Sequence, residues 1–302
     1  MKKFIGLCFS LLLATLIFLV LIAFLVDGYD DPFYLRFTSP KQSSLILGSS
    51  RSAQGIRPDV LNTILNRDDI YNYSFTNFHS PFGKVYLESI KNKLDQNSVN
   101  SIFIISVSPY SICNKEGLDL NNYQLREEKS ILNDTPVNKH PNFNYLFRHY
   151  DRPFYNIFLK NEKMHLKKDG WLEITIPMDS NSVKNRTEKK IASKAEDIQK
   201  WKFSSYRLDF LSKTINYLKK YGNVFLVRIP IVEDMLKIED IIMEDFENRM
   251  NELSVINEID YISFARNYKD YNYTDGNHLD KTSAYVFSKQ IAKWIKSKID
   301  KN

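Results

Sequence analysis

Ser44-Leu45-Ile46-Leu47-Gly48-Ser49-Ser50-Arg51 is a short apolar run that ends in a glycine and two hydroxyls. Leu45, Ile46 and Leu47 have the length and composition of a buried strand, although by pattern alone a buried helical turn fits as well. Gly48 allows the backbone to turn sharply where the run ends. In open α/β sheets ligands bind at the carboxyl ends of the strands, so a serine here faces a crevice and not a core. Taken alone, the stretch also fits an ordinary polar turn. A second stretch near the far end of the chain, Asp275-Gly276-Asn277-His278, weighs against that reading.

Between the two stretches, strand-like and helix-like segments alternate. Ile70–Phe75 reads as a second strand, followed by the polar elbow Thr76-Asn77-Phe78-His79. Ser80 is placed to cap a helix with Pro81 at its first position. Ile102–Val107, apolar except for Ser106, has the composition of a central parallel strand covered on both faces. Tyr206–Tyr221 carries Leu208, Leu211, Ile215 and Leu218 at helical spacing, with Gly222 at a stop position. Asn223–Ile229 is another buried strand, Glu239–Leu253 a helix, and Tyr261–Phe264 a short last strand. Thr282 is placed to cap a final helix whose Val286, Phe287, Ile291, Trp294 and Ile295 face the core. This alternation predicts a three-layer α/β/α domain with a parallel sheet. No internal repeat is present.

At 302 residues, 43% hydrophobic and 14% aromatic, the chain suits one sizeable globular domain and excludes disorder. Phe4–Val26 carries no charged residue and, at about 1.5 Å per residue, reaches roughly 34 Å, enough to cross a bilayer. Lys2 and Lys3 precede it; Asp27, Asp30 and Asp31 follow. The positive-inside rule then puts the amino terminus in the cytoplasm and the remainder outside. A cleaved signal peptide is the competing reading, but the run is long for one and Phe24-Leu25-Val26 offers no small-residue cleavage site. The organisation expected is a signal anchor over 1–26, a juxtamembrane connector over 27–43 that packs near the membrane surface, and a main domain over 44–302. The cysteines, Cys8 in the span and Cys113 beyond it, cannot bridge, so the domain must rest on its core. The net charge of +6 favours anionic surroundings such as lipid head groups or acidic envelope polymers. Nucleic acid is no partner behind such an anchor. The abundance of Lys, Asn, Ile and Tyr matches an AT-rich bacterial genome.

Residues from about 114 to 200 break the alternation. They are rich in charge and Asn and contain Pro136, Pro141, Pro153 and Pro177, yet also Tyr145, Phe147, Phe154, Tyr155, Phe158 and Trp171. The segment reads as an insertion over the carboxyl edge of the sheet, serving either as a lid or substrate platform or as a surface excursion without function.

A serine hydroxyl becomes a nucleophile at neutral pH only with a base in hydrogen-bond reach, and that base needs an orienting acid. Asp275 and His278 offer both in one loop that Gly276 makes permissive. An apolar strand ending in Gly-X-Ser and closed near the end of the domain by Asp-X-X-His resembles the SGNH (GDSL-like) hydrolase family. The resemblance implies the flavodoxin-like SGNH fold, with Ser50 as nucleophile, Ser49 in the Asp slot of Gly-Asp-Ser, and Asp275 and His278 completing the triad. The Gly-Ser-Ser form looks like the membrane-anchored branch that includes the D-alanyl-transfer protein of teichoic-acid modification. The family's second-block glycine falls at Asn77, which together with the Ser50 backbone N–H is the expected oxyanion holder. Its third block, Gly-X-Asn-Asp, has no counterpart: Ser108-Pro109-Tyr110-Ser111 supplies neither Gly nor Asn. Loss of one oxyanion donor typically costs about 10² to 10³ in rate.

Arg51 follows the nucleophile and pairs either with an anionic substrate group or with a local carboxylate. His79, beside the oxyanion elbow, contacts substrate or is a loop residue. His140, His149 and His165 lack metal-ligand spacing, so no metal is expected, and no cofactor is implied. The sequence thus points to a membrane-anchored, extracytoplasmic serine esterase or O-acyltransferase acting on acyl esters of an envelope glycan, lipid or polymer. In the transferase case a membrane-embedded acyl donor protein is a partner. A catalytically inert binding module and a structural envelope protein on the same fold are the alternatives.

Overall fold

The computed structural model describes residues 1–29, 31–117, 124–160 and 162–301. Five strands form one sheet: β1 (Ser44–Leu47), β2 (Ile70–Asn72), β3 (Ser101–Ser106), β4 (Gly222–Arg228) and β5 (Asp260–Ser263). Their order is β2-β1-β3-β4-β5 and every pairing is parallel. In register, Leu45 lies opposite Tyr71 and Phe103, and Phe103 opposite Val224. Both faces of a parallel sheet must be covered, which explains the continuous apolar runs. Ile46, Ile102, Ile104, Phe225 and Val227 look to one face, where they meet α2 (Ser50–Gly55), α3 (Pro58–Leu65) and α9 (Lys281–Ile299). Leu45, Leu47, Phe103, Ile105, Val224 and Leu226 look to the other, covered by α4 (Lys84–Lys93), α6 (Ser205–Leu218) and α8 (Phe246–Ile256). The expected three-layer α/β/α architecture is the one observed.

Ahead of the domain, α1 (Lys2–Ala23) is 22 residues long with a mean hydropathy of 2.9, long and apolar enough to cross a bilayer. The connector packs into the domain. Tyr34 and Phe37 are fully buried in the main core, together with Val26. Asp31 accepts from the backbone N–H groups of Phe33 and Tyr34 and from the Tyr145 hydroxyl, at 2.7–2.8 Å. The buried Arg36 donates to the carbonyls of Pro32, Asn72 and Gly170. A short polar-aromatic segment is thereby built into the fold.

Several boundaries differ from the sequence reading, each for a local reason. Regular pairing of β2 stops at Asn72, although the N–H groups of Tyr73 and Phe75 still bond the carbonyls of Ile46 in β1 and of Gly48 just beyond it. Ser80 caps no helix: its hydroxyl donates to the Gly48 carbonyl at 2.7 Å and to that of Thr76, and α4 starts only at Lys84. Gly222 is the first residue of β4, where a Cβ would meet the Ser101 carbonyl oxygen at 2.0 Å. The single helix expected over Glu239–Leu253 is two, α7 (Glu233–Ile242) and α8, broken at Met243. Asp280, not Thr282, caps α9 by accepting from the Ser283 N–H, and Val286 on that helix is exposed.

Residues 114–200 leave and re-enter the domain through an antiparallel ribbon, Cys113–Lys115 with Trp201–Phe203. Among the described residues they hold a hairpin (Met164–Leu166 with Leu172–Ile174), short helical turns, and the long helix α5 (Ser180–Glu196). No residue of α5 is buried, and Ile191 alone of its apolar side chains packs against the small cluster of Ile231, Met235 and Leu236 beside α7. The helix lies across the carboxyl edge of the sheet, touching the loop that carries Asp275 and His278.

Candidate active site

At the end of β1 the backbone of Gly48 takes a φ of +140°, and a Cβ there would meet the Ser52 hydroxyl at 2.6 Å and Ser106 at 2.9–3.0 Å. Only glycine fits this close approach in that conformation. The chain turns at once into α2, with Ser49 as its cap and Ser50 as its first residue. The Ser50 N–H is therefore one of the donors a helix start leaves unpaired. Its hydroxyl is half-buried at the mouth of the edge.

The partner loop precedes α9 and is folded by its own aspartate. Asp275 Oδ1 accepts from the backbone N–H groups of Asn277 and His278, at 3.1 and 3.0 Å. The Thr274 N–H closes the turn on the His278 carbonyl. Gly276 has φ +75°, and a Cβ on it would meet Thr187 of α5 at 2.8 Å and Val232 at 3.0 Å. The result brings together residues 228 positions apart: Ser50 Oγ lies 2.9 Å from His278 Nε2. On the far side of the ring, Nδ1 lies 3.0 Å from both Asp275 oxygens.

Burial alone would raise the Asp275 carboxyl, but the hydrogen bond and charge of His278, with Lys190 at 3.6 Å, hold it well below the usual carboxylate range. It is thus an anion at any working pH, fit to hold Nδ1–H and to stabilise an imidazolium.

Arg51 is tied into the protein on all three of its guanidinium nitrogens. Its guanidinium is 5% exposed; Nη1 contacts Glu239 Oε1 at 2.6 Å, while Nε and Nη2 donate to Asn277 Oδ1 at 3.0 and 2.7 Å. A guanidinium only donates, so the Asn277 oxygen must face Arg51 and its amide nitrogen must face the histidine, where it lies 3.3 Å from Nε2. Two donors, the Ser50 hydroxyl and this amide, therefore converge on Nε2. In the neutral ring Nε2 carries the lone pair and Nδ1 the proton, the tautomer a general base requires. Glu239 is fully buried between Arg51 and Arg228, the latter at 2.9 Å. Burial pushes its carboxyl up, and the two guanidinium groups outweigh this and hold it low. Arg228 in turn reaches Glu247 at 2.6 Å.

Asn77 lies half-buried in the turn after Thr76, which is fastened over Gly48 by the Ser80 hydroxyl. His79 is committed elsewhere. Its ring is wedged against Phe33 and Phe78, Nδ1 accepts from the Ile131 N–H, and its carbonyl accepts from Ser130. Burial, with His149 nearby, pulls its pKa down to about 4, so it is neutral and anchors the insertion. The turn after β3 presents Tyr110, with Arg51 at 5.9 Å from its ring.

Glu239, Lys190 and Arg186 carry no functional signal in the sequence. Asn277 and Arg51 were in view but as separate residues; their contact spans 226 positions. Arg186 of α5 donates to the Thr274 carbonyl at 2.7 Å and to that of Pro177 at 2.6 Å, stitching the insertion to the loop. Among the described residues no cluster of three or more His, Cys, Asp or Glu is arranged to hold a metal ion.

No family model matches this chain, and no curated protein matches it. Among solved structures it is similar to Est24, a carbohydrate acetylesterase from Sinorhizobium meliloti, at 9% identity and a TM-score of 0.40, over 85% of this chain and 99% of that one. It is also similar to an active-site mutant of a family two carbohydrate esterase from Clostridium thermocellum, at 9% identity and a TM-score of 0.39, over 87% of this chain and 65% of the other. At this distance the likeness speaks to neither substrate nor reaction.

Proposed function

We propose that the chain is a membrane-anchored serine esterase of the SGNH kind, with Ser50, His278 and Asp275 as its triad. The observation that carries this reading is the line of contacts from the Ser50 hydroxyl to His278 Nε2 and from Nδ1 to Asp275, each at 2.9–3.0 Å. Nε2 takes the hydroxyl proton as Ser50 Oγ attacks the acyl carbon. The charge that develops on the carbonyl oxygen is met by the Ser50 N–H and Asn77. As the intermediate collapses, His278 returns its proton to the departing alkoxide, leaving an acyl group on Ser50. A water, deprotonated by His278 in turn, releases the acid. The substrates of this reading are acyl esters of an envelope glycan, lipid or polymer, met on the outer side of the membrane.

A second reading is acyl transfer, in which a polymer hydroxyl takes the place of water and a membrane-embedded protein supplies the acyl group, as the likeness to the D-alanyl-transfer branch suggests. What favours it is the cover that α5 lays over the loop: Thr187 on Gly276, Arg186 on Thr274 and Lys190 on Asp275. Cover of this kind excludes water from an acyl-enzyme.

The test is hydrolysis of p-nitrophenyl acetate by the full-length protein in detergent. Ser50→Ala and His278→Ala should each lower kcat by roughly 10³-fold or more, while Asp275→Ala leaves a larger remainder, because that residue orients without carrying the proton. Ser49→Ala removes only a helix cap, worth about 1 kcal/mol, and should keep most of the activity. Equal losses at Ser49 and Ser50 would refute the assignment.

A further inference from the structure

Arg186, Lys190 and Lys194 recur every four residues on α5 and so share one face, the face turned to the carboxyl edge. The first two are accounted for, by the Thr274 and Pro177 carbonyls and by Asp275. Lys194 is not. Its ammonium stands 4.2 Å over the Tyr110 ring and 5.9 Å from that of Trp201, with no carboxylate at ion-pair distance among the described residues. The acid whose charge reaches it, Glu239, is already engaged with Arg51 and Arg228. Burial, reinforced by Arg51 and Lys190, pulls the Lys194 pKa down to about 8.

Beneath the ammonium, the rings of Tyr110 and Trp201 meet edge to face at 4.8 Å. The Tyr110 hydroxyl and the Trp201 indole nitrogen are both buried, and neither has a hydrogen-bond partner among the described residues. Native proteins leave few buried polar groups unsatisfied, and here two adjoin one unpaired cation. What the three share is decisive for ligand class. Lysine and the indole can only donate, and the tyrosine hydroxyl is free to donate. The missing partner is an acceptor, and beside a positive charge it is an anion. The cluster also borders the active site, because Arg51, the residue after Ser50, stands 5.9 Å from the Tyr110 ring.

We propose that Lys194, Tyr110 and Trp201 form a subsite for an anionic oxygen group of the substrate, a carboxylate or a phosphate ester, next to the acyl ester that Ser50 attacks. The proposal rests on the esterase reading for its substrate but not for its ligand. An acyl chain on a neutral glycan would leave the cation and both orphaned groups unmet.

The experiment uses the full-length protein in detergent and two matched ester pairs: acetylated methyl glucuronide against acetylated methyl glucoside, and acetylglycerol phosphate against acetylglycerol. The wild type should favour the anionic member of at least one pair by about tenfold in kcat/KM, roughly what one charge-assisted hydrogen bond contributes. The pair that shows the preference names the anion. Lys194→Gln should erase that ratio through KM, and Lys194→Arg should keep most of it. A second arm titrates methyl glucuronide or glycerol phosphate into Ser50→Ala while following the Trp201 indole N–H by NMR. Saturable shifts that Lys194→Gln weakens about tenfold would uphold the subsite even if no ester were cleaved, in which case only the esterase reading falls. A wild-type ratio near one in both pairs, a ratio unmoved by Lys194→Gln, or no shift at Trp201 with either anion would overturn the proposal.

Discussion

Replacing Glu239 by glutamine keeps the shape of the side chain and removes one negative charge from a closed set. Glu239 is fully buried and contacts Arg51 at 2.6 Å and Arg228 at 2.9 Å, and both arginines are themselves at most 5% exposed. With Glu247 on the outer side of Arg228, the four charges cancel; without Glu239 two buried guanidinium groups share one partly exposed carboxylate. Breaking a buried pair from one side costs about 3–5 kcal/mol. At about 2–4 °C per kcal/mol for a domain of this size, the melting temperature should fall by roughly 6–20 °C. Activity should fall as well, by roughly ten- to a hundredfold, because Arg51 would no longer be fixed and Asn277 with it would lose its aim at His278. The pH dependence has a definite sign. The two guanidinium groups hold the folded-state pKa of Glu239 below its unfolded value. Its contribution is therefore complete above about pH 5 and is lost only as the pH drops through the folded value, below the ordinary glutamate pKa of about 4.3. Differential scanning calorimetry of the two proteins from pH 4 to 8 checks this. A melting temperature within about 2 °C of wild type, the range of an ordinary surface substitution, would refute the reasoning, as would a gap that widens toward acid.

Gly276→Ala places a Cβ against Thr187 and Val232 at a positive φ; at about 2 kcal/mol the melting temperature should drop by roughly 4–8 °C, with loss of activity. Thr187→Ser removes the nearer of the clashing methyls and should restore part of it; no restoration in the double variant would show that the packing of α5 on the loop is not the cause. Deleting residues 1–22 should leave a folded domain, whereas deletion through 38 removes Tyr34 and Phe37 from the core and the three bonds of Arg36. Each buried aromatic contributes about 1.5–3 kcal/mol, a large part of a total of about 5–15 kcal/mol, so the shorter protein should lose its near-ultraviolet circular dichroism.

The strands were legible because a parallel sheet covered on both faces needs uninterrupted apolar runs, and Leu45–Leu47, Ile102–Ile105 and Val224–Val227 are such runs. Asp275 and His278 stand out in the sequence because an aspartate three positions from a histidine, on a glycine turn, is a local arrangement, and Ser50 joins them there only through the resemblance of Gly48-Ser49-Ser50 to a family motif. What stayed hidden is what depends on distant contacts. Ser80 looks like a cap by its neighbour Pro81, yet the Gly48 carbonyl 32 positions away claims its hydroxyl. Arg51 offered two readings in the sequence, and only the arrival of α7 beneath it, with Glu239, decides for the local carboxylate. The burial of the connector could not be read from its sequence, because two of the three bonds that satisfy Arg36 come from residues 72 and 170. The insertion has no periodic apolar stripe to betray α5, since that helix is held by Arg186 and Lys190 and not by a buried face.

The central claim, that Ser50 is a nucleophile activated by His278, is tested most directly by a fluorophosphonate probe, which reacts only with an activated serine. Intact-mass and peptide analysis of the labelled full-length protein should show one adduct, on the peptide that carries Ser50. It should be absent in Ser50→Ala, strongly slowed in His278→Ala and retained in Ser49→Ala. No adduct on the wild type, or one that persists in Ser50→Ala, would contradict the account.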